Sequence, residues 1–597
     1  NYIQACPISM VVVDEAHCVS EWGHDFRLSY LNIWRRVGEG TVKPPVFIAL
    51  TGTASQSVLF DIQKILNIDD SDAIIRPMSF NRPELIFEIY KVTGTDRTRK
   101  IADILKTILT DNGWSGDPVD KTVSGLIFSN FVGGEVGITQ LAGEIGGICG
   151  LNLRIYGGKS PKGKPQEIWE QEKSEIQIQF KIDKIPILVC THSFGMGIDK
   201  PNIRFTIHSM LPRSLEDFYQ QAGRAGRDRV PSRCVLIFSD DQPVLADELF
   251  DTERTPYNLI KPKINRIPPE NRSDPLRNTW FITQNFPGKN LETSNLRFLV
   301  YDIFRPQLRN YTEGTMTFNI SYLDIPAQYV NYNNPSIVTM SDRKQTIEKA
   351  LYRLYLVGGV TDYEIDDTNK LFKVKYKKNS PSSVYTKLEL FLSDHLTPRE
   401  LKGCMPAIQK TTFEEASYDC GAAVIEFMYA TVEKRRRRAI GHMLQAARDG
   451  AAVGPGKFRE YLMNYLEESE FTQRIKEIAR DDNPKTWFEF LTIVYGKDTI
   501  EQVLGSCRKQ LEEYPSHPGL LIIAGLCRTA SDIPEHGPLD IVNAFVVINR
   551  LYPDLQQRIR IAGQTLLHAN HLLESEQIEA IKDAMKQGDP SLEQYIL

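Results

Sequence analysis

The sequence predicts an α/β protein. Two lobes on parallel sheets occupy the first 240 residues or so, a small mixed unit follows, and the remainder is nearly all helix. Three observations predict this. Short, continuously apolar, β-branched runs recur through the first part, separated by stretches long enough for crossover helices, the pattern of strands buried on both faces. A segment with two prolines, "RPMSFNRPEL" (Arg76–Leu85), interrupts the alternation once, after which it resumes. Beyond Asp241 the alternation stops and helical periodicity takes over.

The expected strands are, in order, "SMVVVD" from Ser9, "VFIALT" from Val46, "SGLIFS" from Ser124, "LRIYG" from Leu153, "PILVCT" from Pro186, "RFTIHS" from Arg204 and "CVLIFS" from Cys234. Residues 1–85 then read as the C-terminal half of a first lobe and 86–245 as a second lobe. The proline-rich "LIKPKINRIPPENRSDP" (Leu259–Pro275) makes 246–294 a linker or irregular wrap. In 295–378, "DRKQTIEKALYRLYLVGG" predicts an amphipathic helix ended by two glycines. "VTDYEIDDTNKLFKVKY" predicts a hairpin with Phe372, Val374 and Tyr376 on one face and Lys373 and Lys375 on the other. A winged helix is one reading of this unit and any small α+β domain the other. "KKNSPSS" (Lys377–Ser383) reads as a linker. Residues 384–597 read as helical, with a helix–Pro turn–helix at Glu501–Arg528 reminiscent of helical-hairpin repeats but without a fixed period.

The chain carries 71 Lys and Arg against 76 Asp and Glu, so any nucleic-acid surface has to be local. None of its nine cysteines forms a CxxC pair, which argues against a zinc ribbon or a disulfide framework and suits a reducing compartment. No apolar run approaches the ~20 residues that cross a bilayer.

The chemistry concentrates in "DEAHCVSEWGHDFR". Asp14 and Glu15 leave an apolar strand at its C-terminal edge, where ligands sit in open α/β sheets. Adjacent carboxylates there suit nucleotide hydrolysis: Asp14 for Mg²⁺, Glu15 to accept a proton from water, and His17 to report nucleotide state. An acidic turn after a core strand is the competing reading. "LTGTAS" places the Thr51, Thr53 and Ser55 hydroxyls where they can bond those carboxylates and His17. "CTHSFGMGIDKPNIRFTIH" offers Gly195 and Gly197 for close backbone approach to phosphates. "YQQAGRAGRDR" sets Arg224 and Arg227 three apart, on one face if the segment is helical, suited to neutralise a transferring phosphoryl group. A solvated helix face is the alternative.

This ordered series resembles superfamily 2 helicases, and within them the RecQ family. "DEAHCVSEWGHDFR" is similar to the family's DEAH box with its aromatic-rich loop, and "FGMGIDKPNIRFTIH" and "YQQAGRAGRDR" to its fifth and sixth motifs. The resemblance covers residues 1 to about 240. It implies two RecA-like lobes that clamp ATP and Mg²⁺ and step along single-stranded DNA, 3′ to 5′. It implies Asp14 on Mg²⁺, Glu15 as base, Arg224 and Arg227 as arginine fingers, and Gln221, Gly197 and Asp199 with His17 at the nucleotide. The loop Cys18–Arg27 would couple ATP to DNA through Trp22, His24, Phe26 and Arg27, with Thr51, Thr53 and Ser55 beside it. Trp22 and Phe26 offer stacking faces, and Arg27 a phosphate contact; core packing of the two aromatics is the bland alternative.

Three features depart from the family. The phosphate-cradling GxxxxGK[ST] occurs nowhere in the chain, and residue 1 is Asn, so the expectation is a chain that begins in mid-domain and is inactive by itself. No cysteine lies between Cys234 and Cys404, where the family carries a zinc module, so no zinc is expected. The helical region matches no accessory domain of the family and is expected to be a protein-interaction platform. Its "EKRRRRAIGHML" puts Arg435–Arg438 around a helix, either solvated or linked to acidic neighbours, or binding phosphate. The expected protein is an intracellular DNA helicase, cytoplasmic in a prokaryote or nuclear in a eukaryote. The alternative is a non-catalytic nucleic-acid-binding scaffold built on helicase lobes.

Overall fold

The computed structural model describes residues 8–16, 33–38, 44–51, 56–68, 73–75, 79–114, 123–194, 199–285, 288–308, 311, 314–331, 335–393, 396–467, 469, 471–531 and 536–596. In the first lobe β1 (Met10–Val13) runs parallel to β2 (Val46–Ala49), Met10 opposite Val46 and Val13 opposite Ala49. The helix Gln56–Ile65 follows, and Ile62 and Leu66 pack with Val13 and Ala16.

The second lobe is one six-stranded sheet, parallel at every pairing: β3 (Leu85–Val92), β4 (Ser124–Phe128), β5 (Arg154–Tyr156), β6 (Ile187–Cys190), β7 (Ile203–His208) and β8 (Ser232–Ser239), in the order β3-β8-β7-β4-β6-β5. Period-2 alternation divides the core. Ile127, Val189, Ile207, Val235 and Ile237 share a core with the helices Arg97–Asp111 and Ile138–Cys149. Leu126, Phe128, Leu188, Leu236 and Phe238 belong to the core on the other face, with Phe180 of the helix Gln166–Lys181 and Phe218 of the helix Leu215–Ala222. All seven expected strands form. β3 was not expected: Glu88 and Lys91 break its apolar run, as an edge strand paired on one side only allows.

The expected linker at 246–294 is largely helical and has to be corrected. Helices span Pro243–Phe250, Tyr257–Ile264, Asp274–Asn285 and Lys289–Phe298. Pro268 caps and Pro269 opens a short 3-10 turn, Pro275 lies in a first turn, where a missing N–H costs nothing, and Pro262 lies inside the helix Tyr257–Ile264. The anchor is Asp274, fully buried, which accepts from Arg97 Nη1 at 3.0 Å and Nη2 at 2.6 Å and from the backbone N–H groups of Leu211 and Ser239 at 3.0 Å each.

In the small unit, β10 (Asp362–Asp366) and β11 (Leu371–Tyr376) form the expected hairpin, with Phe372, Val374 and Tyr376 buried and Lys373 and Lys375 exposed. β9 (Met316–Ser321) adds an unexpected third antiparallel strand. The helix Met340–Leu356 opens with a Thr339–Asp342 capping box. The two exposed lysines pair across the hairpin, Lys373 with Asp366 at 3.6 Å and Lys375 with Asp362 at 3.8 Å, so the face is less basic than its sequence suggests.

From Pro381 onward the described residues are almost wholly helical. The helix Glu433–Val453 lies against the second lobe, and Arg435, Arg437 and Arg438 of its arginine run make linkages within the chain. Arg437, 1% exposed, donates to the carbonyls of Leu249 at 2.7 Å and Thr255 at 2.9 Å. Arg435 donates to the Glu512 carbonyl at 3.0 Å, Arg438 to that of Pro515, and Lys434 to buried Glu253 at 2.8 Å. Nearby, Arg448 forks onto Asp240 and Asp247 of the lobe.

Candidate nucleotide-binding site

Asp14 and Glu15 stand where the strand physics puts them, in the turn beyond the carboxyl end of β1. Leu50 N–H donates to Val13 O and Ala16 N–H to Leu50 O, both at 2.9 Å, so the β1 and β2 ends hold the turn from both sides. Thr51 directly follows that latch. Glu15 has φ 49°, the left-handed region that non-glycine residues enter rarely and at a cost of order 1–3 kcal/mol. Its N–H donates to Asp14 Oδ1 at 2.9 Å.

Across the cleft, the helix Leu215–Ala222 is N-capped by the Ser214 hydroxyl and presents Gln220, whose Nε2 donates to Glu15 Oε2 at 3.2 Å. The expectation named Gln221 instead. Gln221 is buried and donates to Asp217 Oδ1 at 3.0 Å. Helical period separates the two: Leu215, Phe218 and Ala222 form the apolar stripe, and Gln220 alone on this helix escapes burial. That signal was readable from the sequence.

Arg224 and Arg227 do not share a helix face, which corrects the spacing argument. The helix stops at Ala222, and Gly223–Arg229 is a loop turned by Gly226 at φ 61° and Arg229 at φ 66°. A Cβ on Gly226 would lie 3.2 Å from Glu84 Cγ and Val230 O, so the loop requires glycine there. The structure still brings Arg224 to the site. Burial and the charge of Arg227 lower its pKa, while Glu15 and Cys190 oppose the shift. Arg227 reaches Asp199 Oδ1 at 2.8 Å. His17, Trp22, His24, Phe26, Arg27, Thr53, Ser55, Gly195 and Gly197 lie outside the described residues.

The Glu15 carboxylate on one lobe thus faces an amide and a guanidinium from the other. The Helicase conserved C-terminal domain matches residues 165–229, the segment that ends on this arginine loop. The ATP-dependent DNA helicase RecQ of Bacillus subtilis is 35% identical over 237 residues, 40% of this chain and 35% of that protein. The resemblance is to the RecQ family. The probable ATP-dependent DNA helicase RecS of the same organism is 32% identical over 256 residues, 42% of this chain and 45% of that one. The ATP-dependent DNA helicase Q1 of Pongo abelii is 36% identical over 238 residues, 39% and 32%. The chain therefore spans less than half the length of these RecQ-type relatives. The DUF1998 helicase MrfA bound to DNA and AMPPNP is similar over 40% of this chain and 31% of that one, at 18% identity and a TM-score of 0.30. The fold rests on the strand order, not on that likeness.

Proposed function

We propose that this chain carries the motor of an ATP-dependent DNA helicase or translocase of RecQ type, with two RecA-like lobes moving 3′ to 5′ along single-stranded DNA. The contact that carries the reading is Gln220 of the second lobe on Glu15 of the first, with Arg224 beside it. Hard carboxylate oxygens at a strand's carboxyl end fit a nucleotide-bound Mg²⁺, and Asp14 would hold it. ATP with Mg²⁺ supplies the phosphoryl bond whose hydrolysis drives movement. Glu15 then accepts a proton from the attacking water, and Gln220 fixes its carboxylate. Arg224 and Arg227 bring positive charge to the cleft from the opposite lobe.

The test is DNA-stimulated ATP turnover by the protein translated from the gene's full reading frame, because GxxxxGK[ST] occurs nowhere in these 597 residues. Glu15→Gln is expected to leave ATP binding near normal and to abolish turnover, since the amide keeps the shape but takes no proton. Turnover within about tenfold of wild type would remove Glu15 as the base. A reading frame without the phosphate loop would favour the scaffold reading instead. The 597-residue chain alone is expected to be silent.

A further inference from the structure

We propose that Arg82 is the positioning residue of the arginine loop, and that the helical region sets Arg82 through Arg459. The proposal rests on the reading of Arg224 and Arg227 given above, and it assigns the helical region a part in the site.

The end of the helix Leu215–Ala222 is capped by N–H groups of the loop, Gly223 on Tyr219 O at 2.8 Å, Arg224 on Gln221 O at 3.2 Å and Ala225 on Ala222 O at 3.0 Å. Arg82, from the segment between the lobes, collects the carbonyls of the loop that follows. Its Nη1 donates to Gly223 O at 2.9 Å, and its Nη2 to Ala225 O at 3.1 Å and Gly226 O at 2.8 Å. Its Nε donates to Glu84 Oε1 at 2.9 Å. A guanidinium has five N–H donors in a fixed fork, and these bonds use four. The carbonyls flank Arg224 and immediately precede Arg227. Glu84 closes the ring by pairing also with Arg229 at 3.3 Å, on the far side of the loop. Burial opposes ionisation of Glu84, but its hydrogen bonds and the Arg82 and Arg229 charges hold its carboxyl below the ordinary range.

Arg82 is itself held from the helical region. In the helix Pro455–Leu466, Arg459 Nη1 donates to Arg82 O at 3.1 Å and Asn81 Oδ1 at 2.9 Å, and Nη2 donates to Leu85 O. Its guanidinium lies over the Phe87 ring at 4.6 Å. Beyond that helix, Glu467 accepts from Ser79 Oγ at 2.6 Å and Phe80 N–H at 3.1 Å. Residues Ser79–Leu85 are thus gripped on one side by the helical region while Arg82 grips the arginine loop on the other. A lysine has the charge but one nitrogen, which cannot span these carbonyls.

The test uses Arg82→Lys and Arg459→Lys. In the full-frame protein, Arg82→Lys is expected to lower kcat by roughly tenfold to a hundredfold, because a loop misplaced by about an ångström misaligns groups that act in the transition state. The KM for ATP is expected to stay within about twofold. Arg459→Lys is expected to give a smaller fall in kcat of the same kind. In the 597-residue chain, amide hydrogen exchange is expected to quicken at Gly226 and Arg229, whose N–H groups bond Ile203 O and Gly226 O, while β7 and β8 amides keep their protection. Unchanged loop exchange with kcat within about twofold of wild type in Arg82→Lys would overturn the proposal. So would a loss of kcat matched by equal deprotection of the sheet, which marks general destabilisation. If Glu15→Gln leaves turnover intact, the site reading fails, and the exchange arm still decides whether Arg82 holds the loop.

Discussion

Gln220 and Gln221 are chain neighbours with opposite fates: one bonds Glu15 across the cleft, the other bonds Asp217 within its own helix. Gln220→Ala is expected to lower kcat by about tenfold, the worth of a hydrogen bond to a charged acceptor, with the melting temperature unchanged. Gln221→Ala is expected to leave kcat alone and to cost about 1–2 kcal/mol of stability, since Asp217 loses a buried donor. Steady-state turnover and urea denaturation of the two variants check both; the reverse pattern would restore Gln221 to the site. At this scale the carboxylates were legible because Asp14 and Glu15 are contiguous and end a strand. Arg82 was not, because nothing local marks a guanidinium whose carbonyl acceptors lie over 140 residues away.

The helix Leu215–Ala222 carries the site at one end and a buried acid at the other. Tyr465 donates its one proton between Glu216 Oε1 at 2.5 Å and Glu512 Oε2 at 2.8 Å, and Glu512 also meets His442 Nδ1 at 2.8 Å. One hydroxyl proton cannot serve two carboxylates, so the cluster favours holding another. Burial, with mutual repulsion, pushes the Glu216 carboxyl up to about 7, and burial does the same to Glu512. An unfolded glutamate titrates near ~4.3. Between roughly pH 4.5 and 7 these two carboxyls therefore hold more protons folded than unfolded, so their contribution to stability falls as pH rises through that window and levels off above it, while burial holds His442 well below its ordinary value and acts in the opposite sense. Glu216→Gln is expected to flatten the slope and to gain on the order of 1–3 kcal/mol at pH 8 relative to pH 5, read from urea unfolding across pH 5–8. An unchanged slope would assign the protons elsewhere. Elements were legible where periodicity was clean, as in the seven strands. They were misread where proline was taken for a linker signal although buried Ile260 and Ile264 stood at helical spacing.

At the scale of the whole molecule, the helical region completes the second lobe. Phe458 meets Phe87 at 5.7 Å and Phe218 at 5.0 Å between ring centroids, and Arg448 and Lys434 neutralise Asp240 and Glu253, which are buried in the assembled chain. Residues 79–376 alone are expected to be poorly soluble and to melt well below residues 79–597, because truncation bares an apolar face and strips buried carboxylates of their partners. Thermal unfolding and soluble yield of the two fragments decide it; equal stability would make the helical region an independent domain. The sequence by itself determined seven of the strands, their α/β alternation and the place of two adjacent carboxylates at the end of β1, because strand period and adjacent motif residues are local properties of the chain. Only the tertiary structure decided that Gln220 faces Glu15, that the arginines ride a loop and not a helix, and that Arg459 holds Arg82 from 377 residues away. Those are pairings of side chains distant in sequence, fixed by which donors and charges the packed core leaves in need of partners.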